Sequence, residues 1–441
     1  MTECNRKSLV FSSLDRRKIQ AAFDGGRLTT DAGALLLREA DRRTGLTRTL
    51  AERMSDPRDP ARITHDLRSI LVQRILGIAM GYEDGNDHLT LRNDPVFQIL
   101  ADRPPDPEEP LASPATISRL ENRITRGSLA AMSEVLVEQF IKAHRRAPKE
   151  LVLDFDATDD PVHGNQEQRF FHGYYDHYCF LPLYVFCGEH LLCAYLRPSN
   201  IDPALHGRAI LKLLVQRLRA RWPKVRIIFR ADSGFCRWKI LRWCEKHDVG
   251  YVVGLARNPV LERLTAPFME AVEAAFDESG LKQRRFHEVS YAAQTWDHPR
   301  RVILKAERLE QGPNGRFVVT NLTHAPKSIY DHWYAPRGDM ENRIKEQQLG
   351  LFADRTSCHA FQANQFRVLL AAAAYVLLSH VRRVGLRGSA LATAQVDTIR
   401  LMVLKVAARV TISCRRIVLH LASAYPYQTL FTRLVRQLVP T

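Results

Sequence analysis

No Cys-x-x-Cys pair occurs among the eight cysteines of this 441-residue chain. That spacing opens most zinc fingers and dithiol redox sites, so neither role is expected. The first eighteen residues, MTECNRKSLVFSSLDRRK, contain no apolar core of signal-peptide length. The longest apolar run, VLLAAAAYVLL (Val368 to Leu378), spans eleven residues, whereas a membrane span needs ~20. The expectation is a buried helix in a soluble, cytoplasmic protein with reduced thiols and no membrane partner. The phosphate-cradling pattern G-x-x-x-x-G-K-[ST] is missing, so no nucleotide cofactor is expected. Internal repeats and long low-complexity tracts are also absent.

Acid is scarce beside base: 48 Asp+Glu against 64 Lys+Arg, a net charge of +16. A surplus of this size favours a polyanionic partner. It is unevenly spread, because Val381 to Thr441 holds ten Lys/Arg and a single acid, Asp397.

Residues 1–148 read as a mainly helical, DNA-binding region, punctuated by the Pro- and Asp-rich stretches SDPRDPAR and RPPDPEEP. Helical spacing runs through ITHDLRSILVQRILGIAMGYED, and a second helix starts near Ser113, a good N-cap, with Pro114 in its first turn. It is expected to continue through TISRLENRI to MSEVLVEQFIKAH. At Glu150 the pattern changes. ELVLDFD, YCFLPLYVFCG, EHLLCAYLRP, VRIIFRAD and VGYVVGLA read as strands, with a Gly188-Glu189 hairpin turn and helices before and after VRIIFRAD. Order and composition predict an α/β fold, a mixed sheet flanked by helices, over 149–257. Residues 258–325 read as a β-rich insertion, 326–385 as the return of the core through a polar and then an apolar helix, and 386–441 as a basic helical C-terminal region.

Against the basic background, LVLDFDATDDPVHG (151–164) places four aspartates within seven positions. Asp154 and Asp156 are two apart and share one face of a strand. A carboxylate on a covered sheet face is costly unless compensated, and carboxylate clusters match Mg2+ or Mn2+. Asp159-Asp160-Pro161 reads as turn chemistry. Asp232 ends the strand IIFRAD, and strand ends of this kind present side chains into a crevice. In WYAPRGDMENRIKEQQ, Tyr334, Arg337, Glu341, Lys345 and Gln348 fall on one helical face. Two strands and a helix could thus bring three carboxylates to two metal ions, which is phosphodiester chemistry.

Tyr334-x2-Arg337-x3-Glu341 resembles the Y-x2-R-x3-E-x6-K signature of bacterial insertion-sequence DDE transposases. FDAT (Asp156, Thr158) and RADSGF (Asp232) resemble their first two acidic motifs. GGRLTTDAGALLLREADRR, GYEDGNDHLTLRNDP and ATISRLENR look like N-terminal segments of one branch, so the resemblance covers about residues 25 to 385 or beyond. It implies an RNase H-like core with an insertion between the second Asp and the Glu. It further implies that Asp156, Asp232 and Glu341 are the catalytic residues and the ligands of two Mg2+ (or Mn2+) ions. Tyr334, Arg337, Arg343 and Lys345 would contact DNA, and Trp296 could stack a base. The partners implied are terminal inverted repeats and target DNA, held by a homodimer at the nucleoid. Gln348 stands where the family has lysine, and Lys345 is the candidate substitute. An RNase H-like nuclease or resolvase that never joins strands, and a non-catalytic DNA-binding derivative, are the other readings.

Overall fold

A computed structural model describes residues 8–439. The chain forms two compact units, one running from Glu121 to Val376 and the other combining the residues up to Leu120 with those from Leu377 onward.

The first of these is built on a nine-stranded mixed sheet. Its strands are β1 (Glu150–Ala157), β4 (Leu183–Cys187), β5 (His190–Tyr195), β6 (Arg226–Ala231), β7 (Gly250–Leu255), β8 (Gln283–Tyr291), β9 (Arg300–Leu309) and β10 (Arg316–Thr320). The short Gly312–Pro313 strand pairs with β9. Between β1 and β4 the chain makes a separate small sheet from Asp160–Pro161, β2 (Phe170–His172) and β3 (His177–Phe180). The order across the large sheet is β8-β9-β10-β7-β6-β1-β4-β5. The central trio β1, β6 and β7 is parallel, and the remaining neighbours are antiparallel. Flanking helices are α1 (Arg126–Ala143), α2 (Gly207–Arg221), α3 (Trp238–Lys246), α4 (Pro259–Ser279), α5 (Gly338–Lys345) and α6 (Phe361–His380).

Period two decides what each face of β1 meets. Leu151, Leu153 and Phe155 are buried in one cluster with Ile227, Phe229 and Val253 of the neighbouring strands and Leu211, Leu214 and Leu218 of α2. Each such side chain contributes about 1.5–3 kcal/mol on burial. Asp154 and Asp156 take the other face, where Ile228, Val252, Ile303 and Val318 pack against Ile329, Trp333 and Tyr334. The segment that carries Glu341 therefore lies on the acid side of the sheet.

Several expectations change. The single helix predicted from Ser113 to the His144 region is two helices, Pro114–Asn122 and α1, because the Thr125 side chain caps α1 by accepting from Ser128 N–H at 3.1 Å. YCFLPLYVFCG splits at Pro182, which has no donor for a ladder, so its halves enter different sheets. The strands of the 258–325 insertion extend the core sheet, through β10 antiparallel to β7.

In the other unit, helices include Ala34–Thr44, Leu46–Arg53, Leu67–Ala79 and Pro95–Leu100, the third capped by Asp66 and the fourth by Asp94. The region expected to be basic and helical instead contains the hairpin Ala408–Ser413/Arg416–Leu421, followed by the helix Gln428–Leu438. RVTIS and RIVLHL are β-branched and alternating, a strand signal that the charge count concealed. The apolar run Val368 to Leu378 lies in α6. With the turn that follows, α6 is the one helix among the described residues long and apolar enough to cross a membrane, and 78% of its apolar window is buried inside the fold.

Candidate active site

Parallel register brings two acids level. β6 pairs with β1 so that Arg230 faces Asp154 and Ala231 faces Phe155. Asp232, the next residue, stands beside Asp156 at the carboxyl ends of adjacent strands. Its carboxylate accepts from Gly234 N–H at 3.0 Å, which turns the chain into the short helical turn Ser233–Phe235. Asp156 accepts its neighbour's N–H, from Ala157 at 2.9 Å, and the Arg337 guanidinium at 3.2 Å. Burial first, and the like charge of Asp232 second, push the Asp156 carboxyl up to about 7, while Arg337 pulls against them.

Opposite the strand ends runs an irregular helix. It is π-helical over Ile329–Tyr334, 3-10 over Ala335–Arg337, α-helical over α5 and π-helical again over Glu346–Gly350. Such changes of pitch free backbone carbonyls and re-aim side chains. Arg337 reaches Asp156 Oδ2 at 3.2 Å with one nitrogen and Glu341 Oε1 at 3.0 Å with another. Burial opposes its charge, but Asp156, Tyr334, Asp232 and Glu341 together raise its pKa.

Among the described residues no three His, Cys, Asp or Glu side chains converge to hold a metal. Three carboxylates without a counter-ion would repel one another, and the Arg337 guanidinium neutralises Asp156 and Glu341 instead. The donors nevertheless suit a hard divalent cation. They are all oxygen, and Asp156 is held in a charge-frustrated position that an added positive charge would relieve. Asp156 and Asp232 are the pair that would hold it, with Glu341 joining from the helix.

Asp154 is not part of that pair. It forms a buried ion pair with Arg230, through Arg230 Nε and through Nη2 at 2.8 Å. Arg230 Nη1 also donates to the Trp333 carbonyl at 2.8 Å, immediately before Tyr334. Asp159 remains near the surface, with His177 Nε2 2.9 Å from its Oδ2. Asp160, expected as a turn residue, is buried and accepts from Thr356 Oγ1 at 3.1 Å.

The residues expected to contact DNA divide. Tyr334 and Arg337 stand at the acids, and Lys345 is exposed on α5. Arg343 is engaged by Glu346 at 3.3 Å and Glu189 at 3.4 Å, so it braces the helix. Trp296 is half-buried, edge-on to Tyr291 at 5.5 Å and under the Arg300 guanidinium at 5.2 Å. It packs against the core with part of its surface exposed. Gln348 donates to the Asp159 carbonyl at 2.7 Å, tying the helix to the loop after β1.

Two contributors escaped the sequence reading, Arg230 and Gly254. A Cβ at Gly254 would lie 2.6 Å from Tyr334 Oη and 2.9 Å from Ser233 N. A glycine inside VGYVVGLA was itself the available signal, since glycine within a strand marks close approach of another group. Gly254→Ala should displace both Tyr334 and the Asp232 turn. Misplacement on the ångström scale can cost about 10²-fold in rate. Steady-state cleavage kinetics should show the loss in kcat, and an unchanged kcat would refute this packing role.

Carboxylates at two parallel strand ends facing a third on a helix make an enzyme class suited to metal-assisted attack on phosphodiesters. More narrowly, the chain belongs to the DDE transposases: the family model described as "Transposase DDE domain group 1" matches residues 11–441. It is a DNA transposase, an enzyme that cuts and transesterifies DNA, in a family that generally uses divalent metals. No curated protein matches the chain. Among solved structures it is similar to the cryo-EM structure of the piggyBac transposase synaptic complex with hairpin DNA, with a TM-score of 0.43 and 9% identity over 86% of this chain and 81% of that one.

Proposed function

We propose that this transposase cuts at the terminal inverted repeats of its own mobile element and joins the freed ends to target DNA, with Asp156, Asp232 and Glu341 as the catalytic carboxylates. The observation that carries the residue assignment is the level pairing of Asp156 and Asp232 at adjacent strand ends, with Asp156 held at about 7 by burial and by its neighbour. Two bound Mg2+ or Mn2+ ions would supply activation of the attacking oxygen and stabilisation of the leaving one. Asp156 gives up its proton to become a ligand. Asp232 is oriented by Gly234 N–H. Arg337 is placed beside the acids to meet a phosphate of the reacting strand, and Lys345 offers a second cation along the same helix. The basic surplus of the chain favours the long DNA contact that pairing two ends requires, and a homodimer holding both ends is part of this reading.

Asp232→Asn keeps the size and most hydrogen bonds of the side chain but removes its charge. With Mg2+ and duplexes carrying the element's ends, the variant should bind DNA normally and lose about 10²–10³-fold in cleavage, the scale of removing one electrostatic stabiliser from a preorganised site. Undiminished cleavage would sink the assignment. Cleavage without strand-transfer products into a target plasmid would favour a nuclease that never joins strands.

A further inference from the structure

Immediately after β1 the chain builds the small hairpin of β2 and β3. It lies beside the candidate site, with its turn residues nearest the acids. Asp160–Pro161 pairs with β3, His177 Nε2 is 2.9 Å from Asp159 Oδ2, and Tyr175 lies within electrostatic reach of Asp159 and Asp156. The loop leading into β2 is also tied down, because Glu167 N–H donates to the His359 carbonyl at 2.9 Å and Gln166 donates to the Thr356 carbonyl at 3.2 Å. The outer part of the hairpin is not covered. Phe171 and Tyr178 are cross-strand partners, with ring centroids 5.6 Å apart at 74°, and both are about half exposed. The Arg169 guanidinium sits 4.4 Å from the Tyr178 ring centre. At the tip, Tyr174 is 86% exposed.

A strand face turned to water is ordinarily polar. Here it carries a pair of rings and a guanidinium stacked on one of them, with a third aromatic ring at the apex. Exposed aromatics combined with arginine make a sequence-tolerant platform for unpaired nucleic-acid bases: rings stack on base faces while the cation neutralises the backbone. Position selects the same occupant. The strand Asp160–Pro161, which pairs with β3, starts four residues after Asp156, so DNA lying on the hairpin lies near the phosphate being cut.

We infer that the β2–β3 hairpin is a base-stacking subsite, in which Phe171, Tyr174 and Tyr178 hold unpaired bases of the DNA strand next to the scissile phosphate, with Arg169 on its backbone. This rests on the transposase reading of the adjacent acids. It moves the stacking role expected of Trp296 to a different element.

The test uses the full chain carrying Asp232→Asn, so that DNA remains uncut. Two probes of equal length are compared: a blunt duplex, and a duplex ending in a short unpaired strand that contains 2-aminopurine. The unaltered hairpin should prefer the junction and quench the 2-aminopurine. Phe171→Ser/Tyr174→Ser should lose the preference and the quenching, on the order of tenfold in junction affinity per stacked base. Its affinity for the blunt duplex and its melting temperature should be unchanged, since both side chains project from the fold. Equal binding of the junction by the altered and unaltered hairpins would overturn the proposal. So would equal loss on both probes, or sedimentation showing that the substitutions split a dimer of the free protein, which would make the face a protein interface. The two readings fail differently. If only the subsite is wrong, end cleavage by the chain with Asp232 intact persists without any junction preference. If the catalytic assignment is wrong, Asp232→Asn still cleaves while junction binding stays sensitive to Phe171 and Tyr174.

Discussion

Asp156→Asn is expected to reduce cleavage of end DNA by about 10²–10³-fold and, in metal-free protein, to raise stability above neutral pH. The second effect follows from the sign of the pKa change. Folding lifts the Asp156 carboxyl from 3.8 to about 7, through burial and then Asp232. A group whose folded pKa is raised contributes stability that is fully present below the unfolded value and is lost as pH rises through the folded one. From about pH 4 to 7 the native protein must therefore ionise a carboxyl that prefers its proton, and an uncharged asparagine has no such cost. At 1.36 kcal/mol per pKa unit the ceiling is roughly 4 kcal/mol, and the 15% exposure of the side chain lowers it. Melting curves in chelator from pH 5 to 8.5 should show the unaltered protein losing stability faster than Asp156→Asn. Added Mg2+ should reverse the ranking above pH 7, because only the intact acid gains from ligand binding. Parallel melting profiles, with or without metal, would show that Asp156 is not the frustrated ligand described above.

Arg230→Met should be among the most destabilising single changes in this unit, at about 3–5 kcal/mol. Arg230 and Asp154 have side-chain exposures of 10% and 5%. Removing the cation leaves a buried carboxylate with no counter-charge, and burial already presses that carboxyl upward. The double variant Asp154→Leu/Arg230→Met should recover most of the stability, because well-packed apolar groups can replace a buried ion pair at little net cost. It should not recover cleavage in full. The Trp333 carbonyl would still lack its donor, and the turn that aims Tyr334 and Arg337 would be unrestrained. Denaturant midpoints and cleavage rates measured side by side separate the two outcomes. A loss below 1 kcal/mol in the single variant, or full activity in the double, would contradict this account.

Much of the architecture was legible because it rests on short-range rules. Period-two burial in ELVLDFD, the cap at Ser113, which accepts from Thr116 N–H at 3.3 Å, and the Gly188-Glu189 turn each depend on a few neighbouring residues. The candidate acids were legible for a related reason: charge at the end of an apolar strand conflicts with its surroundings, and that conflict is visible in one dimension. What failed also has a pattern. Thr125 and Pro182 broke elements that apolar spacing alone would have continued, and the net charge of the C-terminal stretch hid the alternation of RVTIS and RIVLHL.

Partner choice was not legible at all. In the sequence Asp154 and Asp156 lie two positions apart on one face, and the resemblance of FDAT to the first acidic motif favours Asp156; which of them meets Arg230 and which stands beside Asp232 is assigned only by the register of β1 against β6. The spacing of Arg337 and Glu341 announced a shared helical face, yet not that the guanidinium would bridge to Asp156. The packing of Trp296 against Tyr291 and beneath Arg300 was likewise not written in the spacing of the sequence. The sequence by itself determined that this is a basic protein with acids at strand ends and on a helix, because local patterning and composition carry that information. Only the tertiary structure decided which acid is paired, which is frustrated and which aromatic rings remain open, because those depend on contacts between residues up to 181 positions apart.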